Sequence, residues 1–202
     1  CLESSTRLIY ASSASVYGDG KNGFSEHAQK TPNNYYAVSK SAFDDFVVLK
    51  LRDDPYAEIV GLRYFNVYGS NEASKGPMAS PVHKFLTHAK ETGKIDIFEG
   101  SKKYFRDFVH IKDAVEMTVY ALMSESGIYN VGTGSAVSFY DIAEKISDLT
   151  DADIKYIPFP TDLIGKYQKY TCADLTLTLS TGFPKPQYDM HTGILEVHEK
   201  EG

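Results

Sequence analysis

Tyr36 and Lys40 stand four residues apart in Tyr35-Tyr36-Ala37-Val38-Ser39-Lys40. On a helix that spacing puts both side chains on one face. An ammonium beside a phenol stabilises the phenolate, so the pair suits a tyrosine that passes a proton to and from a hydroxyl or carbonyl. The spacing alone is a weak signal. With 15 tyrosines in the chain, roughly one such match is expected by chance. Tyr17 and Lys21 supply a second, but Lys21 lies in Gly18-Asp19-Gly20-Lys21-Asn22-Gly23, a turn composition. Only the Tyr36 pair is followed by a helical pattern.

The elements around this pair place further polar groups. Arg7 to Ala11 is a short apolar run that ends in Ser12 and Ser13, read as a buried strand. In open parallel sheets ligands bind outside the carboxyl ends of strands, where such serines can bond a ligand. They read equally well as strand terminators. Asn33 or Asn34 is the expected cap of the Tyr36 helix, and Asp53-Asp54-Pro55 its stop. Ile59 to Phe65 reads as a second buried strand, closed by Asn66-Val67-Tyr68-Gly69. Strand, helix and strand in that rhythm argue for a βαβ unit, a parallel sheet and an α/β fold.

The remaining pattern is more mixed. Ser70 to Ala79 reads as a long irregular loop carrying Lys75-Gly76-Pro77. Lys75 by itself is a solvated surface cation. Pro81 to Thr92 reads as a helix with proline in its first turn, and Ile95 to Phe98 as a short strand before the turn Glu99-Gly100-Ser101. Arg106 to Ile111 is β-like, and Asp113 is the expected cap of a helix reaching Met123. Ile128 to Gly132 reads as a strand and Ser138 to Leu149 as a capped helix. Asp153 to Phe159 alternates weakly, and Asp174 to Ser180 and Thr192 to Glu199 read as short helices.

Composition narrows the function classes. The chain has 202 residues, 42% hydrophobic and 24% charged, which is that of an ordinary globular protein. No apolar run is long enough to span a bilayer, and a net charge of −6 gives no support to a nucleic-acid surface. Two cysteines, Cys1 and Cys172, make neither a disulfide framework nor a metal-ligand pattern. The default compartment is a reducing cytoplasm. The six histidines show no ligand spacing, so no metal is expected. No Gly-x-Gly-x-x-Gly or phosphate-loop motif occurs. Gly132-Thr133-Gly134 lacks the third glycine and reads as structural. The chain opens at Cys1, and is expected to be the later part of a longer protein.

Ser12-Ser13-Ala14-Ser15-Val16-Tyr17-Gly18, Tyr36-x-x-x-Lys40 and Arg63-Tyr64-Phe65-Asn66-Val67-Tyr68-Gly69 follow one another in order. This ordered set resembles the extended short-chain dehydrogenase/reductase family, the nucleotide-sugar epimerases and dehydratases. Ala14-Ser15 stands where the 4,6-dehydratases usually place Asp-Glu. Three further segments resemble the branch that inverts carbon six of an ADP-linked heptose. They are Lys75-Gly76-Pro77-Met78-Ala79-Ser80, Ile97-Phe98-Glu99-Gly100-Ser101 with Tyr104-Phe105-Arg106-Asp107-Phe108-Val109, and Tyr156-Ile157-Pro158-Phe159-Pro160 with Gly165-Lys166-Tyr167-Gln168. Two positions depart from that branch: Pro77 replaces a serine, and Lys84 a histidine.

The resemblance implies the later half of a Rossmann domain, residues 1–69 and about 107–133, with a smaller mixed α/β substrate domain at about 70–106 and 134–202. It implies NADP, with NAD as the alternative, and an ADP-heptose substrate epimerised at carbon six through transient oxidation and re-reduction, for lipopolysaccharide core supply. Tyr36 and Lys75 would be the acid–base groups on opposite faces of the sugar, with Ser13 bonding the reacting oxygen. Lys40, Val67 and Lys75 would meet the cofactor. Ser13, Asn66, Pro77, Lys84, Phe98, Glu99, Gly100, Ser101, Arg106 and Tyr167 would meet the substrate. A homo-oligomer is expected, a pentamer by the same resemblance. The fragment alone is expected to be inactive. The alternatives are another NAD(P)-dependent nucleotide-sugar epimerase or reductase, and a non-catalytic NADP-sensing protein.

Overall fold

The computed structural model describes residues 6–161 and 168–201. Along the chain run β1 (Leu8–Ser13), α1 (Tyr35–Asp53), β2 (Ile59–Tyr64), β3 (Asn66–Tyr68), α2 (Pro81–Thr92), β4 (Lys94–Phe98), β5 (Phe105–His110), α3 (Ile111–Tyr120), β6 (Gly127–Val131), β7 (Ala136–Ser138), α4 (Phe139–Thr150), β8 (Asp153–Ile157), α5 (Thr176–Ser180) and α6 (Met190–Lys200). The fold is α/β. β1, β2 and β6 form a parallel sheet in that order. β3 pairs parallel to β5, and β5 antiparallel to β7. β4 and β8 make a parallel pair.

Strand periodicity builds the layers, because successive side chains point to opposite faces. Ile59 packs with Val47 of α1, while Val60 and Leu62 pack with Ala114 and Met117 of α3. The parallel sheet is thus covered by α1 on one face and α3 on the other, as its apolar strands require. A second core joins α2, α4 and α6 over β3, β4 and β5 through Leu86, Ile146, Ile194, Ile97 and Phe108. Gly193 in α6 allows one close approach. A Cβ there would sit 1.8 Å from the Tyr68 hydroxyl.

Helix ends follow the polar signals. Asn34 caps α1 by accepting from the Ala37 N–H at 2.8 Å. Ser80 caps α2 ahead of Pro81. Ser138 and Asp141 form a reciprocal capping box on α4. Several boundaries differ from expectation; α6, for example, begins at Met190 and not at Thr192. His110, not Asp113, caps α3. The Asp113 carboxylate instead accepts from the N–H groups of Gln187 and Tyr188 at 2.9 and 3.0 Å, so it is committed to a distant segment. That helix also ends at Tyr120, before Met123. α5 begins at Thr176 because Asp174 accepts from the Thr176 N–H as its turn residue. The stretch expected to be irregular contains a 3₁₀ run at Ala73–Met78.

Among the described residues β1 is an edge of its sheet. α1 leaves Tyr35, Val38, Phe46, Val48 and Leu49 about half or more exposed. No helix of the described residues is long and apolar enough to cross a membrane.

Candidate active site

Three segments present the expected chemistry at the carboxyl ends of β1, β2 and β3. On α1, Lys40 sends its Nζ to the Ala11 carbonyl of β1 at 2.8 Å. The same Nζ lies 5.8 Å from the centroid of the Tyr36 ring, which is 57% exposed. Tyr36 and Lys40 are therefore neighbours on one helix face beside the end of β1. Ser13 closes β1, and its hydroxyl accepts from the Ser15 N–H at 3.2 Å, turning the chain into the 3₁₀ run Ala14–Tyr17.

The competing pair does not form a site. Tyr17 is buried, 1% exposed, and donates to Asn130 Oδ1 at 2.7 Å. Burial, only partly offset by Arg63, pushes its phenol up to about 12. Lys21 turns outward to Asp19 at 2.8 Å.

Beneath α1 lies an arrangement that periodicity does not reveal. Asp44, one turn beyond Lys40, is wholly buried. It accepts from Arg63 Nε at 2.8 Å and from the Tyr10 hydroxyl at 2.9 Å. Arg63 also donates to the Tyr17 hydroxyl and the Glu26 carbonyl, at 3.0 and 3.1 Å. One guanidinium on β2 thus ties together α1, β1 through Tyr10, and the turn that follows Ser13. The only sequence signals were an arginine inside an apolar strand and an aspartate on the Lys40 face.

After β3 the chain enters the loop that carries Lys75. Its Nζ lies 3.2 Å from Glu72 Oε2 and its side chain is half exposed. Glu72 is buried and also accepts from the N–H of Gly69 and from the N–H and hydroxyl of Ser80. Burial disfavours the Glu72 carboxylate, but these donors outweigh it and hold the group below the usual carboxylate range. Gly76 has φ +51, the left-handed region that suits glycine. The two departures from the family pattern meet here: Lys84 Nζ donates to the Pro77 carbonyl at 2.7 Å.

Asn66 donates to the Asp107 carbonyl at 2.9 Å, and Val67 packs at the margin of the core under α3. Asp107 itself is buried and accepts from Thr133, Gly134 and Ala173. That explains Gly132-Thr133-Gly134: its N–H groups serve a carboxylate of this chain. Burial raises Asp107 more than those bonds lower it.

Lys84, Phe98 and Ser101 line a cavity of about 300 Å³ with Phe85, Tyr104 and Phe159. Tyr104 and Phe159 stack at 5.3 Å, and Phe98 meets Phe159 edge-on at 5.5 Å. Glu99 and Gly100 form the exposed turn beside it, and the Ser101 hydroxyl closes that turn on the Phe98 carbonyl. Arg106 is buried, with its two terminal nitrogens donating to the Phe105 and Gln168 carbonyls. Tyr167 lies outside the described residues. The aromatic partners Tyr104, Phe159 and Phe85 were not read as site residues. Three aromatics far apart in sequence carry no local signal. Among the described residues no cluster of three or more His, Cys, Asp or Glu side chains could hold a metal.

Comparison with known proteins gives the family of the chain. The family model described as NAD dependent epimerase/dehydratase family matches residues 1–132. The chain is 45% identical, over its whole length and 66% of the relative's, to an ADP-L-glycero-D-manno-heptose-6-epimerase of Brachyspira hyodysenteriae. It is 44% identical, over 96% of the chain and 63% of the relative, to the enzyme of that name from Alkalilimnicola ehrlichii. The Helicobacter pylori ADP-L-glycero-D-manno-heptose-6-epimerase superposes with a TM-score of 0.86 at 34% identity, over 98% of this chain and 60% of that one. The chain thus spans just under two thirds of the length of the curated relatives it matches. A family model covering most of the chain, together with these relatives, shows that the chain belongs to the NAD dependent epimerase/dehydratase family.

Proposed function

We propose that the complete protein inverts carbon six of the heptose in ADP-D-glycero-D-manno-heptose, giving ADP-L-glycero-D-manno-heptose for lipopolysaccharide core synthesis. The observation that carries this reading is the Tyr36–Lys40 pair at the end of a parallel strand, with a second ammonium, Lys75, on the loop after β3. The names of the relatives at 44 and 45% identity support the sugar. Residues 1–69 and about 107–133 would form the second part of the cofactor-binding Rossmann domain. The segments 70–106 and 134–202 would form the substrate domain.

The residues present fit the nicotinamide end of a dinucleotide. A parallel sheet offers its crevice at the carboxyl ends of its strands, and the Lys40 ammonium is already drawn there by the Ala11 carbonyl. Lys40 and Val67 would hold the cofactor, NADP in this reading. When bound, that cofactor supplies hydride acceptance and return. The chain's own residues handle protons. Inversion needs a proton removed from the carbon-six hydroxyl on one face and returned to the carbonyl oxygen after the resulting ketone presents its other face. Tyr36 serves one face and Lys75 the other. Ser13 bonds the same oxygen and holds it between them. Asn66, Pro77, Lys84, Phe98, Glu99, Gly100, Ser101, Arg106 and Tyr167 line the sugar nucleotide. Arg106 would have to turn from a backbone carbonyl to meet the diphosphate. The aromatic cavity at Tyr104 and Phe159 suits a flat base.

A homo-oligomer in the cytoplasm completes the reading, supported by the exposed apolar side of α1. The test is the complete protein assayed by NMR with ADP-heptose against UDP- and GDP-sugars, with the released dinucleotide identified after denaturation. Tyr36→Phe and Lys75→Met should each abolish inversion. Near-normal turnover in Lys75→Met would overturn the two-base scheme.

A further inference from the structure

Glu72 is a buried carboxylate that the proton transfers above do not use. It is 3% exposed and carries four contacts. Oε1 accepts from the Gly69 N–H at 3.1 Å and from the Ser80 hydroxyl at 2.8 Å. Oε2 accepts from the Ser80 N–H at 2.8 Å and from Lys75 Nζ at 3.2 Å. Gly69 directly follows β3 and Ser80 is the cap of α2. One side chain therefore closes both ends of the loop that carries Lys75, and also touches the Lys75 ammonium. The loop's main chain adds a bond from the Lys75 N–H to the Glu72 carbonyl at 2.8 Å.

We propose that Glu72 is a positioning residue: it fixes the 69–80 loop and aims Lys75 for proton transfer. This rests on the reading of Lys75 as an acid–base group. A four-carbon side chain on an exposed loop samples many rotamers, and a reacting group must come within about 3 Å of its proton. An anchored ammonium on a stapled loop removes most of that search. The other charged groups around the loop do not replace Glu72. Glu201, which caps the C-terminus of α6, accepts from the Asn71 N–H and lies 3.3 Å from His83 Nδ1. Lys84 is turned to the Pro77 carbonyl.

The test uses the complete protein loaded with its cofactor, and compares Glu72→Gln, Glu72→Asp and Ser80→Ala. Glu72→Gln should lower kcat at least tenfold while KM stays within about threefold, because the loss falls on a proton-transfer geometry. Glu72→Asp should recover part of that loss. Ser80→Ala removes a staple bond and leaves the carboxylate beside Lys75. It should speed amide exchange across 69–80 while keeping kcat within about threefold. Unchanged kcat in Glu72→Gln would overturn the proposal. So would equal kcat losses in Glu72→Gln and Ser80→Ala, since Glu72 would then be a staple alone. If Glu72→Gln does not fold, Glu72→Asp against Ser80→Ala decides: kcat must fall further in the first. Lys75→Met, measured in parallel, separates the two readings. If it retains turnover, the acid–base reading fails first. If it loses turnover while Glu72→Gln keeps it, only the positioning role fails.

Discussion

Replacing Arg63 by methionine should cost far more than removing a surface arginine, and the structure sets the scale. Arg63 and Asp44 are 3% and 0% exposed at the side chain, and pair at 2.8 Å. Arg63→Met strands the Asp44 carboxylate with the Tyr10 hydroxyl as its only remaining hydrogen-bond donor among the described residues. Breaking a buried pair from one side costs about 3–5 kcal/mol. The lost bonds to Tyr17 and the Glu26 carbonyl add about 1 kcal/mol or more each. Against a typical net stability of about 5–15 kcal/mol, the single variant should be marginally folded. The double variant Asp44→Leu with Arg63→Met removes both charges, and such replacements are often neutral. It should recover at least about 2 kcal/mol of the loss. Urea midpoints of the complete protein, read as a double-mutant cycle, measure the coupling. A loss below about 1 kcal/mol in Arg63→Met, or no recovery in the double variant, would refute the idea that this ion pair seats α1.

Gly193→Ala should destabilise strongly, because the new methyl meets the Tyr68 hydroxyl at 1.8 Å; adding Tyr68→Phe should relieve part of the loss in thermal melts. Ser138→Ala removes one half of the α4 capping box and should cost about 1 kcal/mol, read from the same melts. Glu196 is predicted to link stability to acid. Burial pushes its carboxyl up, but the Lys112 and Lys200 ammoniums and His110 overcome this and hold it at about 2, below the ordinary 4.5. A depressed carboxyl stabilises above its unfolded value and loses that stabilisation as pH falls through its folded one. Stability should therefore decline between about pH 4.5 and 2, and Glu196→Gln should flatten that slope in acid titrations followed by circular dichroism. Residues 1–202 expressed alone should bind NADP poorly and aggregate, since the β1 edge and the apolar side of α1 are open; a monodisperse, cofactor-binding monomer would contradict this.

Much of the local structure was legible in the chain. Asn34 and Ser138 announced their helices because a cap is a bond between near neighbours, and Pro81 announced α2 by its first-turn preference. The apolar runs at Leu8 and Ile59 announced strands; β2 is buried as expected, whereas β1, an edge among the described residues, is only partly buried, with Ala11 exposed. Tyr36 and Lys40 shared a helix face by spacing alone. Asp113 misled for the same reason in reverse: its carboxylate was drawn to Gln187 and Tyr188, 74 and 75 residues away. Nothing local marks such a partner.

The sequence by itself determined the elements, their caps and the candidate chemistry, because those depend on periodicity and short-range bonds. Tertiary structure closed the choice between the two Tyr-x-x-x-Lys pairs, which the helical pattern after Tyr36 already favoured, by burying Tyr17 against Asn130. It decided that Asp44 and Arg63 are partners, that Glu72 closes the Lys75 loop, and that Tyr104, Phe159 and Phe98 share one cavity. Burial and long-range pairing are properties of the packed chain. They set which charges are worth satisfying, and no spacing rule contains them.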